Sequence, residues 1–460
     1  MTSYRRRTIA VTLWGIMSFT QQLISVYWGN MLPYLIITAA ALLFLVFADN
    51  RIALHFSSLP TELLWVVNLL IILIGILRGG FTPAARNDII TYTAGVLFLM
   101  FSGTDETVFV GLGRVVRFFS LFFACSVWLQ MLAPPVYNAV FFNHLSPTHQ
   151  LAVLGIREGG SFTGFSTNSG FTAGHINAGI LLLMSKILMR VGKTRRNIIE
   201  LLFLALSLLM TGKRGLLLAV TVSGVLMYLI SARGRQRFTR FYRALIVFVV
   251  MVLLFFLFAD MLAFIPVISR TMDSVRNFME GGDISSGRNR IYEYALELIA
   301  EHPVNGIGWG QFRATSQGNA LFTKDVDAHN IYLQLLCELG LVGFVPIAGA
   351  FALYLFLTAR MVSVMRIRDG ISRRWKQLLL FSMGYQIFFL IYGLSGNPFF
   401  DQNFVILYML SCAVTSVSLR RFHSQPGGHP KKVSSTEQAD SAGTAAPAVG
   451  RRKRKEKQKP

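Results

Sequence analysis

Acidic side chains are scarce in this sequence. Asp and Glu number 22 against 44 Lys and Arg, and the four charged residue types make up only 14% of the 460 residues. A soluble globular chain carries about a quarter of its residues as charges, so a water-soluble enzyme is excluded. Cysteine is nearly missing. Cys125, Cys337 and Cys412 all fall in apolar segments without CxxC spacing, which suggests neither a zinc site nor a disulfide framework and leaves three small core residues as the expectation. Internal repeats are also lacking, which weighs against an inverted-repeat transporter. Nor does a short signal peptide precede a soluble domain: the first apolar run, "TIAVTLWGIMSFTQQLISVYW", is long enough to remain as a span.

What fills the chain instead is apolar. Hydrophobic residues make up 53%, including 38 Phe, and the mean hydropathy is +0.52. Runs of roughly 17–25 apolar residues, the length that crosses a hydrocarbon core, recur from end to end. They give about twelve candidate spans, near residues 8–28, 31–48, 62–78, 89–101, 117–132, 172–190, 197–210, 214–231, 241–261, 330–358, 377–394 and 402–419. The cations are gathered in "SYRRRT", "RVGKTRRN", "SARGRQRFTRFYR", "ARMVSVMRIRDGISRRWK" and the tail "RRKRKEKQKP". With the N-terminus inside and twelve crossings, every one of these clusters falls on the cytoplasmic side, as the positive-inside rule requires. That distribution accounts for the net charge of +22 without invoking nucleic acid.

The expected fold is therefore an all-α, polytopic membrane protein with about 12 transmembrane helices. Residues 1–261 hold helices 1–9 with an outer loop near 133–171, and residues 262–329 form a large extracytoplasmic loop between helices 9 and 10. Residues 330–422 hold helices 10–12. From 423 to 460 the chain is rich in Ser, Gly, Ala, Pro and Lys, which reads as a disordered cytoplasmic tail able to touch anionic headgroups.

The large outer loop carries the chemistry. In "SSGRNRIYEYALELIAEHP" the residues Ile291, Tyr294, Ala295, Leu298 and Ile299 follow the i, i+3, i+4, i+7, i+8 spacing of an amphipathic helix, lying on the membrane surface or roofing a cavity. Ser285 or Ser286 can cap its start, and Pro303 follows its end. Arg288 sits in the first turn, beside the positive end of the helix dipole, where a cation is disfavoured unless something else holds it. After the helix, Gly306, Gly308 and Gly310 in "NGIGWGQF" favour a tight turn with close backbone approach. Asp325 and Asp327 form a DxD that could hold a divalent metal beside a phosphate, although two carboxylates make a poor site.

His329 follows in "DAHNIYLQLLCELGLVG" at the start of the tenth span. A helix N-terminus favours the neutral imidazole, the form that accepts a proton, so the position suits a general base on the outer face. Lys213 and Arg214 in "LLMTGKRGLLLAV" reach the outer end of a span by the same topology, against the positive-inside tendency. They either snorkel to headgroups or hold an anionic partner. Arg157 lies in the other outer segment, in a run rich in Gly, Ser, Thr and Asn. Arg157, Arg214 and Arg288 are thus outer-face guanidiniums that could converge with His329, and guanidinium binds phosphate oxygens in bidentate fashion.

The combination "TGKRGLLLAV", "SSGRNRIYEYALELIAEHPVNGIGWGQF" and "AHNIYLQLLCELGLVG" resembles the O-antigen ligase and O-antigen polymerase superfamily of polytopic bacterial envelope proteins. The elements that carry the resemblance are Arg214-Gly215, Arg288 with Tyr292, Pro303 with Gly306 and Gly308, and His329-Asn330 with Glu338 and Gly340. Tyr292 stands where such proteins more often have Trp, and the stretch after Arg157 matches loosely. The resemblance implies a glycosyltransferase of the bacterial cytoplasmic membrane, with both termini cytoplasmic and its active site extracytoplasmic. Its donor is a polyprenyl-diphosphate-linked oligosaccharide and its acceptor a second glycan. In that reading His329 is the base, Arg214, Arg288 and Arg157 bind the diphosphate, and Lys213, Arg290, Asn330 and Tyr292 support them. The expectation is a polymerase of repeat units, inverting and without metal or cofactor, working beside a flippase or chain-length regulator. The alternatives are a ligase passing a finished glycan to a lipid or protein, a metal-dependent transferase using Asp325 and Asp327, and an exporter of another class, which would bury charges in mid-span.

Overall fold

The computed structural model describes residues 3–29, 32–47, 58–232, 234–281, 287–317, 326–367 and 371–424. Among them there are helices and no strands. Twelve helices fall on the twelve apolar runs: α1 (Ser3–Trp28), α2 (Leu32–Val46), α3 (Leu59–Gly79), α4 (Pro83–Phe101), α5 (Val110–Leu132), α8 (Ser169–Leu188), α9 (Thr194–Met210), α10 (Arg214–Ile230), α11 (Arg235–Phe258), α15 (Ile331–Ile367), α16 (Arg373–Tyr392) and α17 (Gln402–Ser424). Seven of these, α1, α3, α5, α8, α11, α15 and α17, are long and apolar enough to cross a membrane. The chain is an all-α polytopic membrane protein. Five shorter helices lie in the two long polar segments: α6 (Pro134–Val140), α7 (Pro147–Glu158), α12 (Pro266–Met279), α13 (Arg288–Glu301) and α14 (Gln311–Gln317).

Local chemistry sets the helix starts near the functional end. Thr82 caps α4 by accepting the Ala85 N–H, with Pro83 in the first turn, and Asn168 caps α8 by accepting the Gly170 N–H. Both are side-chain acceptors placed where a helix leaves donors unpaired. Packing then arranges the helices in layers. α17 is the axis of the bundle, fully buried across its apolar window, whereas α11 has no buried residue and stands at the periphery. A helix apolar on all sides and unpacked by protein is a lipid-facing helix. Cys337 and Cys412 are buried as expected, but Cys125 is exposed. It sits on a face of α5 that the other helices leave uncovered.

α15 departs from a simple span. Its 37 residues would make a helix of about 55 Å, longer than one crossing needs, and Gly340 breaks it with φ 63° and ψ −168°. The break leaves backbone groups that the outer loop satisfies. Ile307 and Gly308 donate their N–H groups to the carbonyls of Cys337 and Glu338 at 3.0 and 2.9 Å, while Leu341 and Val342 donate to Pro303 and Val304. The Gly-x-Gly segment is thereby stitched into the helix break, which explains why backbone approaches so closely there. The "ELGLVG" segment does more than pack one helix on another.

The outer-loop helix follows its predicted stripe. Ile291, Tyr294 and Ala295 of α13 are buried with Phe312, Ala328 and Cys337, and Leu298 and Ile299 pack against the same cluster. The helix packs against the N-terminal part of α15. Its N-cap position is Gly287, with φ 85°; the two serines expected to cap it lie outside the described residues.

Candidate active site

The N-terminal ends of α4, α8, α10, α15 and α17 and the C-terminal end of α16 surround one cavity of about 970 Å³. The outer loop completes it. Lys213, Arg214, Arg288, Tyr292 and His329 all line this cavity, so residues up to 116 positions apart in sequence, Lys213 and His329, face one space.

Each cation is set by a local feature. Lys213 is the residue before α10, following Gly212 in a left-handed conformation with φ 69°. Arg214 opens α10, and its Nη1 donates to the Arg270 carbonyl at 2.7 Å and to the Ser274 hydroxyl. Helix α12 therefore holds Arg214 in place, and it adds its own guanidinium, because Arg270 also lines the cavity. The Arg270 guanidinium lies against two backbone glycines: a Cβ added at Gly159 would sit 3.1 Å from its Nη2, and one at Gly212 3.4 Å from its Nη1. Arg313 of α14 is a fifth cation in the lining. Burial, then the positive charges of Arg270 and Arg288, push the Lys213 ammonium down to about 8 from its ordinary 10.5. Cations packed this closely destabilise one another unless an anion joins them. The site is electrostatically prepared for a polyanion.

His329 is exposed to the cavity and has φ 51°. Outside glycine such a backbone conformation costs roughly 1–3 kcal/mol and gathers at functional sites. The neighbouring Asn330 explains how the strained residue is held. Its Oδ1 accepts the N–H groups of Tyr332 and Leu333 at 3.0 and 3.2 Å, capping α15. Asn330 thus anchors the helix start that presents His329 and does not itself line the cavity.

Arg157 and Arg290 are not among the lining residues. Arg157 is exposed on the last turn of α7, and Arg290 is exposed on the first turn of α13. α7 nonetheless borders the site through Gly159, against Arg270. Asp327 lines the cavity, whereas its DxD partner Asp325 lies outside the described residues. Among the described residues no three His, Cys, Asp or Glu side chains are placed to share a metal ion.

Several lining residues carry no motif. Arg270 sits in the loop helix α12, whose amphipathic pattern "PVISRTMDSVRNFM" marks a helix without singling out this residue. Asp88 and Asp401 are carboxylates at the ends of apolar runs in a chain poor in acids, and intramembrane or membrane-edge acids are functional candidates by their expense alone. Trp309 Nε1 donates to Asp88 at 3.0 Å. Asp401 accepts both the backbone and side-chain N–H of Asn403 at 3.0 and 2.9 Å. Burial pushes its carboxyl up to about 7, against the pull of those two bonds, and the Asp327 charge adds to the rise. Glu338 binds the backbone N–H of Gly310 at 2.8 Å and the Gln334 amide at 3.1 Å, tying the loop to α15 at the cavity floor.

A family described as O-antigen ligase matches residues 199–348, from α9 into α15. That stretch holds Lys213, Arg214, Arg270, Arg288, Arg313 and His329. None of the curated proteins matches the chain.

Proposed function

We propose, for a bacterial membrane protein that belongs through residues 199–348 to the O-antigen ligase and polymerase superfamily, that it joins polyprenyl-diphosphate-linked oligosaccharide repeat units into a polymer. The observation that carries this reading is the convergence of Lys213, Arg214, Arg288 and His329 on one cavity. The donor's diphosphate sits among the cations and its polyprenyl chain stays in the bilayer. The acceptor hydroxyl attacks the anomeric carbon while its proton passes to the His329 imidazole, a step worth about 10²–10⁴ in rate. As the new glycosidic bond forms, the bond from the anomeric carbon to the diphosphate oxygen breaks, and the electron pair leaves with polyprenyl diphosphate. Arg214, Arg288, Lys213 and Arg270 stabilise the charge that develops on that leaving group. Direct attack inverts the anomeric carbon, and the guanidiniums supply the charge neutralisation that a divalent ion supplies in other transferases.

The helix directions support an outward-facing site. α8 and α10 start at the cavity and run away from it, so the basic segment at residues 190–196 and the one after 230 lie at the opposite end. Cations gather on the cytoplasmic side, which supports a reading with the cavity on the outer face.

The description of the matched family favours a second reading, in which the acceptor is a lipid or protein and the reaction is ligation. One experiment separates the two. His329→Ala and Arg288→Ala in the native host, each produced at normal level, should leave single repeat units unextended on gels of lipid-linked and surface glycan. Full-length lipid-linked polymer that accumulates without transfer establishes ligation instead, and wild-type chain lengths from His329→Ala remove its assignment as base.

A further inference from the structure

Helix α12 is divided lengthwise by its sequence. Ile268, Met272, Val275 and Met279 follow one another at intervals of four, three and four residues, which puts them on one face of the helix with Phe278 beside them. Arg270, Ser274 and Asn277 repeat that spacing on the opposite face. The polar side is occupied. The Arg270 carbonyl and the Ser274 hydroxyl both accept from Arg214 Nη1, and the Arg270 guanidinium lines the cavity against Gly212. The apolar side is open. Val275 is exposed, and Phe278 and Met279 are 64% and 81% exposed; the buried residues of the helix are Pro266 and Val267, in its first turn. Large apolar side chains gathered on one uncovered face mark a contact with a membrane or another protein.

The surroundings of this face say which. α11 leads into α12; it is 24 residues long, apolar enough to span, and has no buried residue. In the turn between the two helices Met261 and Phe264 are exposed as well, so uncovered apolar surface continues from the span into α12. α9, on which α12 packs, has an exposed apolar stripe of its own. Ile199, Leu202 and Leu206 follow it toward Met210, the end beyond which Gly212 meets Arg270. Both neighbours thus offer hydrocarbon-facing surface that runs up to α12. The charged residues Arg270, Asp273, Arg276 and Glu280 all lie off the apolar face, where long side chains reach headgroups and water. A helix so divided, at the edge of a hydrocarbon layer, is of the kind that lies in the plane of a membrane interface.

We infer that α12 is an interfacial helix: its apolar face is sunk in the acyl boundary of the leaflet at the cavity end of the bundle, and this seat holds the Arg214 and Arg270 guanidiniums at the cavity. The seat itself stands on the exposed face and its neighbours. Its consequence for the cations rests on the diphosphate reading above and adds that the bilayer positions them.

The test of the seat puts a nitroxide on the full chain at Met279→Cys or Asn277→Cys, in a Cys125→Ser background that leaves only buried native thiols, in nanodiscs of phosphatidylethanolamine and phosphatidylglycerol. The label at 279 should be relaxed by dissolved oxygen and shielded from a nickel chelate, and the label at 277 should show the reverse. Equal chelate access at both positions puts the face in water and overturns the inference. A label at 279 shielded from oxygen and chelate alike means that protein covers the face, a second copy where labels on two chains also broaden one another, and overturns it too. The positioning role is read from polyprenyl diphosphate binding in the same nanodiscs. Phe278→Ser with Met279→Ser should weaken binding about tenfold, the worth of one charge-assisted hydrogen bond, whereas Phe278→Leu with Met279→Leu should leave it at the wild-type value. Equal binding by the two pairs overturns the positioning role. Arg288→Ala judges the diphosphate reading separately: retained binding there removes the diphosphate site, while the labels still judge the seat of α12.

Discussion

Lys213 stands before the first turn of α10, where burial, and after it the two guanidiniums of Arg270 and Arg288, depress its ammonium to about 8. A lysine is charged below its pKa and neutral above it, so this side chain loses its charge over a range where a solvated lysine would keep it. If it binds the donor's diphosphate, the KM for lipid-linked donor should rise by roughly tenfold as pH passes from 7 to above 9, the worth of one charge-assisted hydrogen bond. Bound diphosphate stabilises the ammonium, so kcat at saturation should change much less. Lys213→Arg keeps its charge throughout and should flatten the alkaline limb, whereas Lys213→Met should raise KM at every pH. A limb that survives in Lys213→Arg assigns the titration to another group. Lys213, Arg214, Arg288 and His329 were legible in the sequence because each adjoins a glycine, a cap or a span end that gives it away. Arg270 and Asp401 were not. Arg270 joins the site only because α12 folds back over α9 and α10, and Asp401 comes to line the cavity only once α17 has become the buried axis.

At the scale of elements, the Gly-x-Gly loop and the broken α15 define each other. Gly306 and Gly340 have φ of 64° and 63°, and a Cβ at either would overlap backbone across the join, at Glu338 and Val304 respectively. Gly310 has φ 75° but open space around the same position. Alanine at Gly310 should therefore cost only conformational strain, about 1–3 kcal/mol. At Gly306 or Gly340 a comparable overlap term adds to the strain, about 1–3 kcal/mol more. Thermal unfolding in detergent should rank Gly310→Ala above the other two. Equal losses at all three would mean that the join is looser than described. The spacing of glycines predicted close approach, and the apolar stripe of α13 predicted a buried face. What those surfaces would meet was not readable, because the partner, a helix interrupted at Gly340, looked like an uninterrupted apolar run. A break of this kind shows in sequence only as one more glycine.

The whole molecule has two distinct ends. The cavity gathers helix termini at one, and at the other α17 returns to the start of α3, where Arg420 (2% exposed) pairs with Glu62 (1% exposed). Arg420 also donates to Ser58 Oγ at 2.8 Å, to the Gly103 carbonyl at 3.0 Å and to the Leu99 carbonyl. One guanidinium thus clamps α17, α3 and the end of α4. The alternation of apolar runs foretold the number of helices, but a pair separated by 358 residues leaves no local trace in composition or period. Breaking a buried pair by removing one partner costs about 3–5 kcal/mol, because the other charge is left uncompensated. The two losses should differ. A carboxyl left alone can take up a proton, whereas guanidinium stays charged at any ordinary pH, so Glu62→Met should destabilise more than Arg420→Met. Replacing both with Met should recover much of the larger loss, as measured by thermal unfolding in detergent. Because the clamp lies at the far end from the cavity, polyprenyl diphosphate affinity should stay near wild type in every variant that remains folded. A double variant less stable than either single one would show that Arg420 acts mainly through its bonds to Ser58 and the two carbonyls, with the ion pair secondary.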